Sequence, residues 1–166
     1  LRRLELEAAD RPPVMATVVL ISSHAPWTPV PHLVPWQAVG NGTVFGAAER
    51  SGGPPEVVWA DPDHIRDQYI RSIDYVLRTL AGYVAEHKDD DALILIVGDH
   101  QPMPFVAGDT SRPDVPIHVI ARDRDILAAI EEWGWADGLV PAAATPAWPM
   151  ESLRRRFVEA FTPDVQ

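Results

Sequence analysis

The segment that most constrains the fold is an apolar run that ends in a glycine and two side chains able to bind metal. It is Asp91-Ala-Leu-Ile-Leu-Ile-Val-Gly98, followed by Asp99 and His100. An unbroken run of this composition is typical of a central strand buried on both faces. The polar pair then lies at the carboxyl end of the strand, where open α/β sheets bind ligands.

Two further segments predict strands. Ala16-Thr-Val-Val-Leu-Ile-Ser-Ser23 is rich in β-branched residues and is followed by His24. Like the first segment, it is therefore an apolar run with a polar side chain at its carboxyl end. Val115-Pro-Ile-His-Val-Ile-Ala121 is a third strand, and its proline favours an edge or entry position.

Helices are predicted between and after these strands. Asp61-Pro62-Asp63 is a helix start, and apolar residues recur at steps of three and four from Ile65 to Val84, so the helix should end near His87-Lys88. Two later helices are predicted, from Asp123 to a stop at Gly134, and from Met150 to Phe161. The alternation predicts an α/β fold with a mainly parallel sheet flanked by helices.

The length of 166 residues suits one domain. We expect residues 1–15 to form an entry segment and residues 16–166 to form a single domain. Residues 27–56 are dense in proline and glycine, which predicts an irregular but ordered surface loop. Loops of this length more often have a function than serve only as connections. The chain begins without an initiator methionine, so we expect it to be a fragment of a longer parent protein.

Composition excludes several classes of function. The 14 basic and 24 acidic residues give a net charge of −10, which argues against nucleic acid as a partner. The absence of cysteine excludes disulfides, thiolate metal sites and a cysteine nucleophile. No stretch approaches the roughly 18 to 20 apolar residues of a membrane span, so any membrane attachment would come through the parent.

Asp99 and His100 are the candidate metal ligands. A kink after Gly98 would let a carboxylate oxygen and an imidazole nitrogen converge on one cation, and this donor set suits Zn²⁺ or Mn²⁺. The alternative is that Asp99 caps the turn and His100 packs against the loop.

His24 and Trp27 are candidate substrate contacts. If the strand before His24 neighbours the strand before Asp99, His24 faces the same crevice, and Trp27 could line it. The alternative is a histidine that is hydrogen-bonded locally. Ser22 and Ser23 lie outside any Gly-x-Ser-x-Gly elbow, which argues against a serine hydrolase.

Three segments together resemble a known superfamily. Ile21 to Trp27, Tyr69 to Leu80 and Leu93 to His100 are similar, in order, to the C-terminal part of the alkaline phosphatase and sulfatase superfamily. They look most like its membrane-anchored branch, which includes lipoteichoic acid synthases and phosphoglycerol transferases. The resemblance implies a partial alkaline-phosphatase-like fold.

The resemblance also implies roles for particular residues. Asp99 and His100 would ligate the catalytic metal, Zn²⁺ or Mn²⁺, in the intact protein, and His24 would contact the phosphate or sulfate of an ester substrate, including a lipid-linked one. Gln101 stands near the position where many members carry another histidine, and we place it with Trp27 among the substrate-binding residues.

The superfamily's nucleophile comes from upstream of the strand that precedes His24, so no catalytic nucleophile is expected in this chain. The implied function is that of a metal-dependent hydrolase or transferase whose C-terminal fragment is inactive alone, with the parent at the extracytoplasmic face of the membrane. The alternative is a non-catalytic extracytoplasmic binding or scaffolding domain of a membrane protein, including a parent whose activity belongs to another domain such as a lipid head-group phosphotransferase of the CDP-alcohol type.

Overall fold

The computed structural model describes residues 14–50, 53–88, 91–108 and 113–162, with backbone alone at 48–50; most of the predicted entry segment therefore lies outside the described residues. The strands are β1 (Leu93–Val97) and β2 (Ile117–Ala121). The helices are α1 (Trp36–Val39), α2 (Pro55–Val58), α3 (Pro62–Glu86), α4 (Pro104–Ala107), α5 (Arg124–Ala128) and α6 (Ser152–Phe161). Short 3₁₀ segments cover Ile21–Ser23, Thr43–Arg50 and Glu131–Trp133.

The chain folds as two compact units, Leu1–Thr79 and Leu80–Gln166. Helix α3 begins in the first unit and ends in the second. Within the described ranges, none of the helices combines the length and the apolar character that crossing a bilayer requires.

Helix α3 confirms the predicted long amphipathic helix. Its start is the predicted cap, because Asp61 Oδ1 accepts a hydrogen bond from the backbone N–H of Asp63 at 2.8 Å. Ile65 and Ser72, at 4% and 1% exposure, lie two turns apart on the buried face. The helix ends at Glu86, just before the predicted end near His87-Lys88.

The described sheet has two strands, and they are antiparallel. Leu93 pairs with Ala121 and Val97 with Ile117. Mixed helix and strand content agrees with the predicted α/β class, but the parallel arrangement is not what these two strands show. The reason lies in the connection between them, whose described helix is the four-residue α4, whereas parallel neighbours need a long crossover that is usually a full helix.

The expectation that β1 is buried on both faces is wrong for the described structure. Leu95 is 41% exposed and Val97 is 50% exposed. Among the described residues β1 has one neighbouring strand, so it lies at a sheet edge and not in the middle of a larger sheet.

The strand predicted at residues 16–23 does not form in the described structure. Val18, Val19 and Ile21 are 74%, 79% and 77% exposed, and a 3₁₀ turn occupies Ile21–Ser23. Strand propensity is insufficient here because an extended segment needs a pairing partner, and the described sheet contains only β1 and β2.

The C-terminal helices follow the prediction in part, because the single helix predicted from Asp123 to Trp133 is divided into α5 and a separate 3₁₀ turn at Glu131–Trp133, whereas α6 lies within the range predicted from Met150 to Phe161. Asp123 caps α5 by accepting from the backbone N–H of Asp125 at 2.9 Å. The following turn ends at Gly134 in the left-handed conformation, with φ 81° and ψ 38°, as a helix-stop glycine should. Ile130, at 3% exposure, is a core residue of this unit.

Candidate functional site

The turn after β1 is held close to the start of β2 by a glycine. The backbone N–H of Gly98 donates to the Pro116 carbonyl at 3.0 Å, which extends the strand pairing by one residue. A Cβ atom at Gly98 would lie 3.2 Å from the Cβ atom of Val115, tighter than an ordinary carbon contact. Glycine therefore permits the close approach that places the next two residues at the end of the strand.

The Asp99 carboxylate uses its two oxygens differently. Oδ1 accepts a hydrogen bond from the backbone N–H of His100 at 3.0 Å, and Oδ2 lies 3.6 Å from His100 Nε2. The first contact is a local turn bond, as the alternative interpretation expected. The second shows that the side chains converge, as metal binding would require.

The His100 imidazole has a fixed tautomer in its neutral form. Its Nδ1 is 2.8 Å from the Gln101 carbonyl oxygen, which can only accept, so Nδ1 carries the proton. Nε2 then presents a lone pair beside Asp99 Oδ2. Histidines that ligate metals usually donate their other ring N–H in this way. Both side chains are open to solvent, at 72% and 90% exposure for His100 and Asp99.

This pair fits part of a metal centre. Two ligand atoms bound about 2.0–2.2 Å from a tetrahedral zinc ion lie roughly 3.3–3.6 Å apart, and the separation of Oδ2 from Nε2 is 3.6 Å. Within the residues that the structure describes, no group of three or more His, Cys, Asp and Glu side chains could hold an ion. The described residues thus supply two ligands of the three or four that zinc sites use.

Gln101 ties this turn to the segment that precedes β2. Its side-chain amide Nε2 donates to the Asp114 backbone carbonyl. The Gln101 backbone carbonyl also accepts the hydrogen bond from His100 Nδ1, so one residue anchors both the loop and the imidazole. This is a positioning role, and direct contact with a substrate stays a prediction.

His24 repeats the arrangement of His100 in the other unit. Its Nδ1 is 2.7 Å from the Ala25 carbonyl oxygen, so Nε2 is again the free nitrogen of the neutral ring. Its backbone N–H donates to the Ile21 carbonyl at 2.9 Å, which fixes the residue at the end of the 3₁₀ turn. The side chain is exposed. His24 and the Asp99–His100 pair belong to different units, and their convergence in one crevice stays a prediction.

Trp27 lies in the core of its unit. Its indole is 5% exposed, stacks on Trp59 at 5.8 Å between ring centroids and meets Tyr69 edge-on at 5.2 Å. Its Nε1 donates to the Ser23 carbonyl at 2.9 Å. The ring therefore holds the His24 segment in place, and its proposed contact with a substrate stays a prediction.

Burial of Tyr69 makes the stability of this unit depend on pH. Desolvation raises the pKa of the Tyr69 phenol above its usual 10.0. The folded state keeps a proton that the unfolded state loses, so the free energy of unfolding should fall as pH rises above 10.0. We expect Tyr69→Phe to flatten this alkaline loss in urea titrations, whereas Tyr75→Phe on the same helix should retain it. An unchanged slope in the Tyr69 variant would contradict the assignment.

A second cluster was not expected from the sequence. Trp133, Trp135 and Trp148 pack together, and the Arg156 guanidinium lies 4.5 Å from the Trp148 ring centroid. A run of three arginines, Arg154 to Arg156, is typical of a solvated helix face, but the Nε atom of Arg156 is buried. The sequence does contain one signal for this cluster. Gly134 lies between Trp133 and Trp135, and it allows the tight turn that carries both rings.

No protein-family model, curated protein or solved structure matches this chain.

Proposed function

We propose that this chain contributes part of the metal centre of a hydrolase or transferase that acts on phosphate or sulfate esters. The observation that supports this function is the convergence of two possible ligand atoms, Asp99 Oδ2 and His100 Nε2, which lie 3.6 Å apart. The imidazole that carries Nε2 is held in place by its hydrogen bond to the Gln101 carbonyl. The resemblance to the alkaline phosphatase and sulfatase superfamily supplies the reaction class. The nucleophile and the remaining ligands would come from the parent chain at the extracytoplasmic face of the membrane.

Each group of this chain has a defined part in the proposal. A bound Zn²⁺ or Mn²⁺ would polarise the ester oxygen as a Lewis acid. Asp99 and His100 would hold the ion, and the Gln101 carbonyl would keep the imidazole in its ligating tautomer. His24, whose Nδ1 proton is committed to the Ala25 carbonyl, could donate from Nε2 to a phosphate or sulfate oxygen once the ring is protonated.

We propose that β1 belongs in the intact protein to a mainly parallel sheet with β2 antiparallel at one edge. The exposure of Leu95 and Val97 supports this, because these side chains would be covered by further elements of such a sheet.

Paramagnetic NMR on the chain tests the ion site directly. Added Mn²⁺ should broaden the signals of Asp99 and His100 first, because both ligand atoms belong to that turn. Asp99→Asn and His100→Gln should each weaken Mn²⁺ binding about tenfold or more. His64→Gln, in the first turn of α3, is the matched control and should bind as the wild type does.

Two outcomes would contradict the proposal. Broadening that spreads over the acidic surface without preference for the Asp99 turn would show that the pair is no ion site. In the full-length parent, Asp99→Ala should remove bound metal and phosphodiesterase activity together. Activity and metal content that survive this substitution would disprove the proposal, because the ion and the reaction would then belong to another part of the parent.

A further inference from the structure

The first unit contains the single asparagine of the chain, Asn41, and a glycine follows it directly. Asparagine is thermolabile, because the backbone nitrogen of the next residue can attack its side-chain amide. Gly42 has no Cβ atom to hinder this attack. Asn41 is exposed, so water and solvent bases reach it. The pair therefore has the chemistry of a self-modification site.

A tight turn fixes this pair in the folded chain. Gly40 has a φ of 52° and a ψ of −123°, and the backbone N–H of Gly42 donates to the Val39 carbonyl at 2.8 Å. These values define a type II′ turn with Gly40 and Asn41 at its centre. The second central residue of such a turn, here Asn41, has a ψ of about 0°. The turn therefore sets where the Gly42 nitrogen lies relative to the Asn41 side chain.

The Asn41 side chain is held by its own hydrogen bonds. Its Oδ1 accepts from the backbone N–H of Thr43 at 3.2 Å and from the Thr43 hydroxyl at 2.9 Å. Both bonds direct the amide carbonyl towards Thr43. The folded turn thus fixes the attacking nitrogen and also the amide that it would attack.

Ring closure between the two groups needs a different conformation. The Gly42 nitrogen must eclipse the Asn41 Cβ atom about the Cα–C bond, whereas a ψ of about 0° eclipses it with the Asn41 backbone nitrogen. Once the turn opens, the Gly42 nitrogen forms a bond to Asn41 Cγ and the Cγ–Nδ2 bond breaks. Nδ2 leaves as ammonia with the proton that the Gly42 nitrogen loses. Water then opens the resulting succinimide at either carbonyl, which gives aspartate or isoaspartate.

We infer that Asn41 is a deamidation site whose rate is set by opening of the turn at Gly40 and Asn41. Isoaspartate carries its backbone through the side chain with an additional carbon, so the turn does not return to its original geometry after that product forms. The reaction would irreversibly change the connection between α1 and the 3₁₀ segment Thr43–Arg50. This inference is independent of the proposed metal centre, and the two can fail separately.

Mass spectrometry of the chain in mildly alkaline buffer measures the reaction, and peptide mapping places the change at Asn41. The folded chain should deamidate about tenfold or more slowly than the chain unfolded in urea, because several hydrogen bonds must open first. Hydrogen exchange of the Gly42 amide, followed by NMR, gives the open fraction independently. That fraction multiplied by the rate in urea should equal the rate of the folded chain within about threefold.

Two glycine variants test the turn. Gly40→Ala places a side chain at a φ of 52° with nothing within 4 Å, so it strains the turn without a clash and should raise the rate in the folded chain about fivefold or more. Gly108→Ala is the matched control, because it adds strain at a φ of 81° in the second unit, again with nothing within 4 Å. It should leave the rate unchanged. Circular dichroism checks that both variants are folded.

Four results would overturn the inference. They are an Asn41 that stays intact in urea, a folded chain that deamidates as fast as the unfolded one, a rate that departs from the exchange-derived value, and equal effects of Gly40→Ala and Gly108→Ala. The exchange measurement on the wild type decides the question even where Gly40→Ala impairs folding.

Discussion

Replacing Trp27 with alanine should destabilise the first unit by about 3–5 kcal/mol, the usual cost of deleting a buried aromatic side chain. The loss removes the stack on Trp59, the edge contact with Tyr69 and the hydrogen bond from Nε1 to the Ser23 carbonyl. The free energy of unfolding of a domain is commonly only about 5–15 kcal/mol, so this one substitution should remove a large part of it. Urea unfolding followed by circular dichroism measures it.

Substitution by glycine at the same position distinguishes the effect of backbone strain on stability from the effect of losing the side chain. Trp27 has a φ of 57°, a left-handed conformation that is strained for a bulky residue and free for glycine. Trp27→Gly should therefore be less destabilising than Trp27→Ala, the reverse of the usual order. The comparison contradicts this account if alanine proves the more stable of the two.

Gly134→Ala should destabilise the second unit by about 2–4 kcal/mol, because it adds backbone strain and a steric clash. Gly134 has a φ of 81°, and a Cβ atom there would lie 2.9 Å from Pro146 Cγ. The proline ring has little freedom to move aside. The displacement should also separate Trp133 from Trp135, which near-ultraviolet circular dichroism would detect.

Gly138 supplies the matched control for the clash. Its φ is 89°, but a Cβ atom there would meet nothing within 4 Å. Gly138→Ala should therefore destabilise the unit only through backbone strain, by about 1–2 kcal/mol. Equal effects of the two substitutions would show that the contact with Pro146 contributes nothing.

Local signals predicted the helices and the polar turn well. The cap at Asp61, the apolar steps along α3 and the stop at Gly134 depend on nearby residues, and all three are confirmed. The turn after Gly98 likewise brings Asp99 and His100 together through neighbouring backbone atoms. Such features are set within a few residues of sequence, where capping and periodicity operate.

Features that depend on distant partners were not predicted. The segment at residues 16–23 has the composition of a strand but no partner in the described sheet. The direction of β2 was decided by its connection and not by its own residues. Arg156 lies over Trp148, a contact set by tertiary packing that no local pattern specifies.

The exposed edge of β1 has a consequence for handling the molecule. Its Leu-Ile-Leu-Ile-Val sequence combines high β-propensity with no charge and no proline, and among the described residues it has a neighbouring strand on one side alone. Strands of this kind act as templates on which other copies of a chain can add. The same residues that bring Asp99 and His100 to the end of the sheet therefore also give the isolated chain a route to self-association and fibre formation.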